Sequence, residues 1–174
     1  MSKEVTIDLR RDAEDLRRWI GQKISAFRET TSKEESLEPV GGIVVIYCYV
    51  QVGWIALDFN TDEVFEFVGE VSKEAWDDLL KRPQWLALEK SEGPISLTFV
   101  EPDGTLAKVS ADEMADDFHS GHFGKMIADV LNNAWNDGVF SSLMIKPGCV
   151  VSVNDFNGNW AWEAKEVSGK LVVE

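Results

Sequence analysis

The sequence predicts an α+β domain: a mostly antiparallel sheet of about six to seven strands, with an N-terminal helix and further helices packed on one side. Three observations lead there. Residues 1–28 carry a helical apolar period, the β-prone runs that follow are joined by hairpin signals, and a second helical stretch interrupts those runs late in the chain. At 174 residues the chain supports one sizeable core, so residues 1–174 read as a single globular domain. Within it, 1–28 is the amphipathic helix, 29–41 a polar, mobile connection, and 42–174 the α+β body.

In the first helix, Leu9, Ala13, Leu16, Ile20, Ile24 and Phe27 recur at steps of three and four and mark one apolar face. Residues 43–50 are continuously β-prone, as in a strand buried on both faces. Residues 54–59 and 64–68 flank the turn residues Asn60, Thr61 and Asp62 and read as a hairpin. Placing Ile55, Leu57 and Phe59 inward pairs Phe59 with Phe65 and Leu57 with Phe67, and stands Asp58 opposite Glu66 on the outer face. Ser72 caps a helix with Trp76, Leu79 and Leu80 inside, ended by Pro83. Strands 95–100 and 106–109 flank the turn Pro102-Asp103-Gly104. Ser110 and Glu113 form a capping box, the helix falters at Ser120-Gly121, and a second one resumes with Phe123, Ile127, Val130, Leu131 and Ala134 inside and Gly138 as its stop. The tail reads as a meander: 149–153 and 160–167 around Asn157-Gly158, then a short edge strand at 171–173.

Composition excludes several classes. Seven Trp and nine Phe exclude wholesale disorder. The first residues lack the apolar core of a signal peptide, and the longest apolar run, 43–50, is far short of the roughly 20 residues that span a bilayer. Cys48 and Cys149 stand apart without metal-ligand spacing and read as reduced, buried thiols. The expected location is therefore cytoplasmic.

Charge is the strongest functional signal. The net charge is −14, divided as −1 over residues 1–50, −12 over 51–140 and −1 over 141–174. Such a field repels nucleic acid and anionic membranes and attracts basic proteins. The expected function is a small acidic interaction protein docking on a basic protein partner, most concretely an immunity-type inhibitor of a nuclease or similar toxin. The expected contact residues are Asp58, Asp62, Glu63 and Glu66 with Trp54 as aromatic anchor, and a second cluster of Asp112, Glu113, Asp116 and Asp117. The bland alternative is an acidic surface that serves solubility alone.

The rival from another class is a metal-dependent enzyme built on Asp116, His119 and His122, spaced i, i+3 and i+6. The Ser120-Gly121 break speaks against that geometry, and the zinc-hydrolase pairing of two His four apart is absent. Residues 121–125, Gly-His-Phe-Gly-Lys, lack the full phosphate-loop spacing, and there is no Gly-x-Ser-x-Gly elbow. The reading leans away from an enzyme and implies no cofactor. Trp160 and Trp162 are read as packing under a helix rather than as a sugar or base platform.

Overall fold

The computed structural model describes residues 3–31, 39–48, 54–60, 65–70, 95–109, 119–158 and 160–173. The helix expected from Ser72, the capping box at Ser110 and residues 32–38 of the polar connection lie outside the described residues.

The chain opens with a strand, β1 (Lys3–Asp8), before the first helix, α1 (Leu9–Thr31). The N-terminal helix expected over 1–28 is corrected to this strand–helix pair. Glu4-Val5-Thr6-Ile7 alternates with Val5 and Ile7 buried, the period of a half-buried strand. Asp8 marks the switch: its Oδ1 accepts the Arg10 backbone N–H at 3.1 Å, an N-cap bond. The Arg10 guanidinium closes back on the same carboxylate at 2.9 and 2.6 Å. Leu9, Leu16, Ile20 and Ile24 are buried and Ala13 and Phe27 partly buried, as the apolar period predicts.

The remaining strands are β2 (Val40–Cys48), β3 (Trp54–Asn60), β4 (Phe65–Glu70), β5 (Ile95–Val100), β6 (Leu106–Val109), β7 (Ile145–Asp155), β8 (Ala161–Val167) and β9 (Lys170–Val173). The second helix is α2 (His119–Asn136), followed by a 3-10 turn at Val139–Ser142. The class is α+β, but the single, mostly antiparallel sheet is corrected to two mixed sheets, ordered β1-β5-β6 and β4-β3-β2-β7-β8-β9. Each contains one parallel pair, β1 with β5 and β2 with β7. These pairs join strands remote in sequence, which hairpin signals cannot reveal.

The helix does not falter at Ser120-Gly121; α2 runs unbroken from His119. Gly121 and Gly124 are there for space. A Cβ on Gly121 would lie 3.3 Å from Trp160 Cδ1, and one on Gly124 would overlap Trp160 and the Tyr47 hydroxyl. The indole thus packs under the helix, as expected for Trp160. Phe123, Met126, Ile127, Ala128, Val130, Leu131 and Ala134 are all buried, so α2 is covered over most of its circumference. Residues of both sheets and both helices share one core, with Tyr47, Phe59, Phe99 and Phe123 among its largest members.

The β3–β4 register differs from the expected one. Phe59 lies opposite Glu66, Asp58 opposite Phe67 and Asn60 opposite Phe65, with a bulge between Leu57 and Asp58. Asp58 and Glu66 therefore do not oppose each other. The sequence argument assumed one buried face and an unbroken ladder. In fact Ile55, Ala56, Leu57, Asp58 and Phe59 are all buried, so alternation does not fix the register, and the bulge shifts one strand by a residue.

Candidate functional site

The charged group that the fold gathers most closely lies where the β5–β6 hairpin meets α2. Pro102-Asp103-Gly104 makes the turn: Gly104 N–H donates to Glu101 O at 2.8 Å, and Gly104 has φ 86°. The Thr105 N–H donates to Asp103 Oδ1 at 2.8 Å, and the bonds from Thr105 hold the Asp103 carboxyl below its ordinary value. This turn fixes Glu101 at the end of β5, where the residue is only 3% exposed.

On α2, His122, Lys125 and Asp129 fall on one side at i, i+3 and i+7. His122 stacks on Phe99 with ring centroids 4.7 Å apart and planes 19° apart. Its Nδ1 lies 2.7 Å from Glu101 Oε1. A carboxylate can only accept, so the proton of this bond sits on Nδ1. Lys125 Nζ is 3.8 Å from Glu101 Oε2, a buried oxygen with no hydrogen-bond partner among the described residues. Burial pushes the Asp129 carboxyl up; Lys125 opposes this, and the charges of Glu101 and Asp103 reinforce it. A buried carboxylate that orients an imidazole is the geometry of a supported general base or of a histidine metal ligand. Here it also staples the β5–β6 hairpin to α2.

The expected contact residues are dispersed. Asp58 is 3% exposed, with Oδ1 unpartnered among the described residues, and burial pushes its carboxyl up. Its expected place on an outer face is corrected: the second face of β3 is covered as well. The backbone of Trp54 pairs with Cys48, and that of Glu66 with Phe59. Asp62, Glu63, Asp112, Glu113, Asp116 and Asp117 lie outside the described residues. Their anchor points are described. Asn60, which leads into Asp62 and Glu63, sits beside Gly42 at one end of β2. The N-terminal part of α2, which follows Asp116 and Asp117, packs at Tyr47 and Trp160, near the other end. Five steps along β2 separate those ends, about 17 Å.

Of the metal candidates, His119 and His122 share one continuous helix, and His122 commits Nδ1 to Glu101. Among the described residues no three His, Cys, Asp or Glu side chains gather as a metal site. Sequence reasoning does not single out Glu101 and misses its pairing with His122. The one available signal is its position, directly after an apolar strand and before a tight turn. No protein-family model, no curated protein and no solved structure matches this chain. Among the described residues no helix is long and apolar enough to cross a membrane.

Proposed function

We propose that this chain is a small acidic interaction protein of the cytoplasm that binds a basic protein partner through the acid-rich segments of its middle. The observation that carries this reading is the segregation of charge. Residues 61–94 and 110–118 hold 13 acids against 4 bases, most of the excess behind the net charge of −14. Among the described residues several acids meet local counterparts: Asp8 with Arg10, Asp15 with Arg18, Asp137 with Arg17, and Glu101 with His122 and Lys125. A local excess of acids in the sequence steers a cationic partner, with an on-rate that falls as salt rises. Asp62, Glu63 and Glu66 form one contact region in this reading, and Asp112, Glu113, Asp116 and Asp117 a second; Trp54, whose backbone pairs with Cys48, lies at the opposite end of β3 from Asn60 and so is not the anchor beside the first. An immunity-type inhibitor that covers the cationic site of a nuclease or similar toxin is the most specific form of the reading.

The test is affinity capture at about 50 mM and about 500 mM salt, where exposed ion pairs go from active to screened. A basic protein held at low salt and released at high salt is expected. Asp62→Lys/Glu63→Lys and Asp116→Lys/Asp117→Lys should each weaken capture. Failure to enrich any basic protein at low salt overturns the reading and leaves the acidity to solubility.

One observation favours a second reading, chemistry at α2: the Glu101–His122 bond resembles the support of a catalytic or metal-binding imidazole. Metal analysis of chelator-free protein tests it. No bound transition metal, and no stabilisation when one is added, removes the metal-dependent enzyme built on Asp116, His119 and His122.

A further inference from the structure

Two buried oxygens on β3, Asp58 Oδ1 and Asn60 Oδ1, have no hydrogen-bond partner among the described residues. The two residues are i and i+2 on a strand, so their side chains leave the same face. In the ladder Asp58 stands between Val44 of β2 and Phe67 of β4, and Asn60 between Gly42 and Phe65, none of which carries a side-chain donor. Gly42 leaves room for the pair: a Cβ there would lie 3.1 Å from Asn60 Nδ2 and 3.3 Å from Asn60 Cβ. The bulge between Leu57 and Asp58 adjoins them, and bulges re-aim the side chains beside them.

Glu101, the other buried carboxylate with an unpartnered oxygen, has His122 and Lys125 against it. Asp58 is as deeply buried, at 3% exposed, yet no basic side chain among the described residues faces it. A buried carboxylate without a counter-charge is costly, and a buried polar atom left unpaired in a native fold often marks a bound ion or water.

We propose that Asp58 Oδ1 and Asn60 Oδ1 together ligate one alkali cation, sodium or potassium. A carboxylate and an amide carbonyl are oxygen donors only, which suit a hard cation rather than a transition metal. One carboxylate balances one positive charge, whereas calcium sites draw on six to eight oxygens and gain affinity with each added carboxylate. A proton would balance the charge as well, but a carboxyl titrates ordinarily near about 3.9, which favours the cation at neutral pH. The charge of −12 over residues 51–140 raises the local concentration of either ion.

The experiment is thermal unfolding of the full chain at pH 7 and a constant ionic strength of about 0.15 M, in the chloride of N-methylglucamine, sodium or potassium. Fixed ionic strength holds screening constant, so a difference between cations reports a site. Sodium or potassium should raise the Tm above that in N-methylglucamine, by about 3–6 °C once the ion is tenfold above its Kd, and the ion with the larger rise is the occupant. Backbone amide shifts on exchanging N-methylglucamine for that ion should centre on Asp58, Asn60 and Gly42. Asp58→Asn removes the buried charge and keeps the shape; in N-methylglucamine it should be at least as stable as the parent, and the ion-specific rise should vanish. Asn60→Ala should weaken the ion at least tenfold. Glu163→Gln, which removes an exposed carboxylate on β8, should leave the rise intact. Equal Tm values in all three cations overturn the proposal and leave the proton as the counter-charge. A rise that survives Asp58→Asn also overturns it, assigning the effect to diffuse acidity. A saturable response to calcium or magnesium that Asp58→Asn abolishes, without one to sodium or potassium, overturns the monovalent assignment.

Discussion

Three helical glycines provide a graded test of the packing around Trp160. In a helix interior, alanine in place of glycine gains about 0.5–1 kcal/mol from backbone entropy alone. Gly21, inside α1, has nothing within 4 Å of the position a Cβ would take, so Gly21→Ala should keep that whole gain. At Gly121 the nearest atom is Trp160 Cδ1 at 3.3 Å, so the ring must give by a few tenths of an ångström, and gain and cost nearly cancel. At Gly124 the Cβ falls well inside contact distance of Trp160 Cε3 and the Tyr47 hydroxyl, with Trp160 Cζ3 at 2.7 Å. Tyr47 is fully buried and both groups sit on rigid rings, so neither retreats by a rotamer change. Overpacking of this kind costs about 1–3 kcal/mol, and three contacts on two rings place it toward the upper end. Net of the helix gain, Gly124→Ala should lose about 1–2 kcal/mol. At about 2–4 °C per kcal/mol for a chain of this size, its Tm should fall by about 2–8 °C while that of Gly21→Ala rises by a few degrees. Thermal and urea melts of the three single variants read the order directly. A Gly124→Ala protein as stable as the parent would refute the argument that these glycines make room for the indole.

Other consequences are as specific. His122→Ala leaves Glu101 buried with, among the described residues, only Lys125 at 3.8 Å and removes the stack on Phe99; it should cost about 2–4 kcal/mol, and the loss should shrink when Glu101→Gln is already present, which a double-mutant cycle in urea measures. Asp58 has its carboxyl pushed up by burial, so the folded state holds that proton more tightly than the unfolded chain does. Its contribution is most favourable below the unfolded value and is lost as pH rises through the raised folded value. Asp58→Asn should therefore stabilise the protein at neutral pH, with an advantage that fades on acidification, as melts from acid to neutral pH will show. The Cys149 thiol is pushed up to about 11 by burial and by the charge of Glu166, so site-resolved alkylation at mildly alkaline pH should be slow until denaturant opens the fold.

The parts of the fold that were legible in the sequence are those governed by local periods and turns. The buried faces of α1 and α2, the stop at Gly138, the hairpin over Pro102-Asp103-Gly104 and the tail meander all follow from residues close together in the chain. Strand β1 was hidden because its Val5 and Ile7 run directly into the apolar face of α1, and its pairing with β5 depends on residues about ninety positions away. The break expected at Ser120-Gly121 was a propensity argument, and tertiary packing overrode it: the glycines that weaken the helix are the ones that admit Trp160. For the same reason the Glu101–His122 bond was illegible, since no linear spacing joins a turn after β5 to the first turn of α2. Of the acidic residues, sequence revealed the excess and its confinement. It did not reveal that Asp58 and Glu101 are interior.

The parallel pairings carry a consequence in time. Lys3 pairs with Ile95, and Ile43 with Val151, 108 positions later. On a ribosome adding about 5–20 residues per second, β2 waits about 5–20 s for the strand that completes its sheet. Until then its apolar run can be satisfied only on the β3 side. The larger sheet can close only once β7 is out, so nascent fragments that end before β7 should depend on chaperones or be cleared by proteases. Premature termination in this chain would thus leave exposed strand rather than a smaller folded protein.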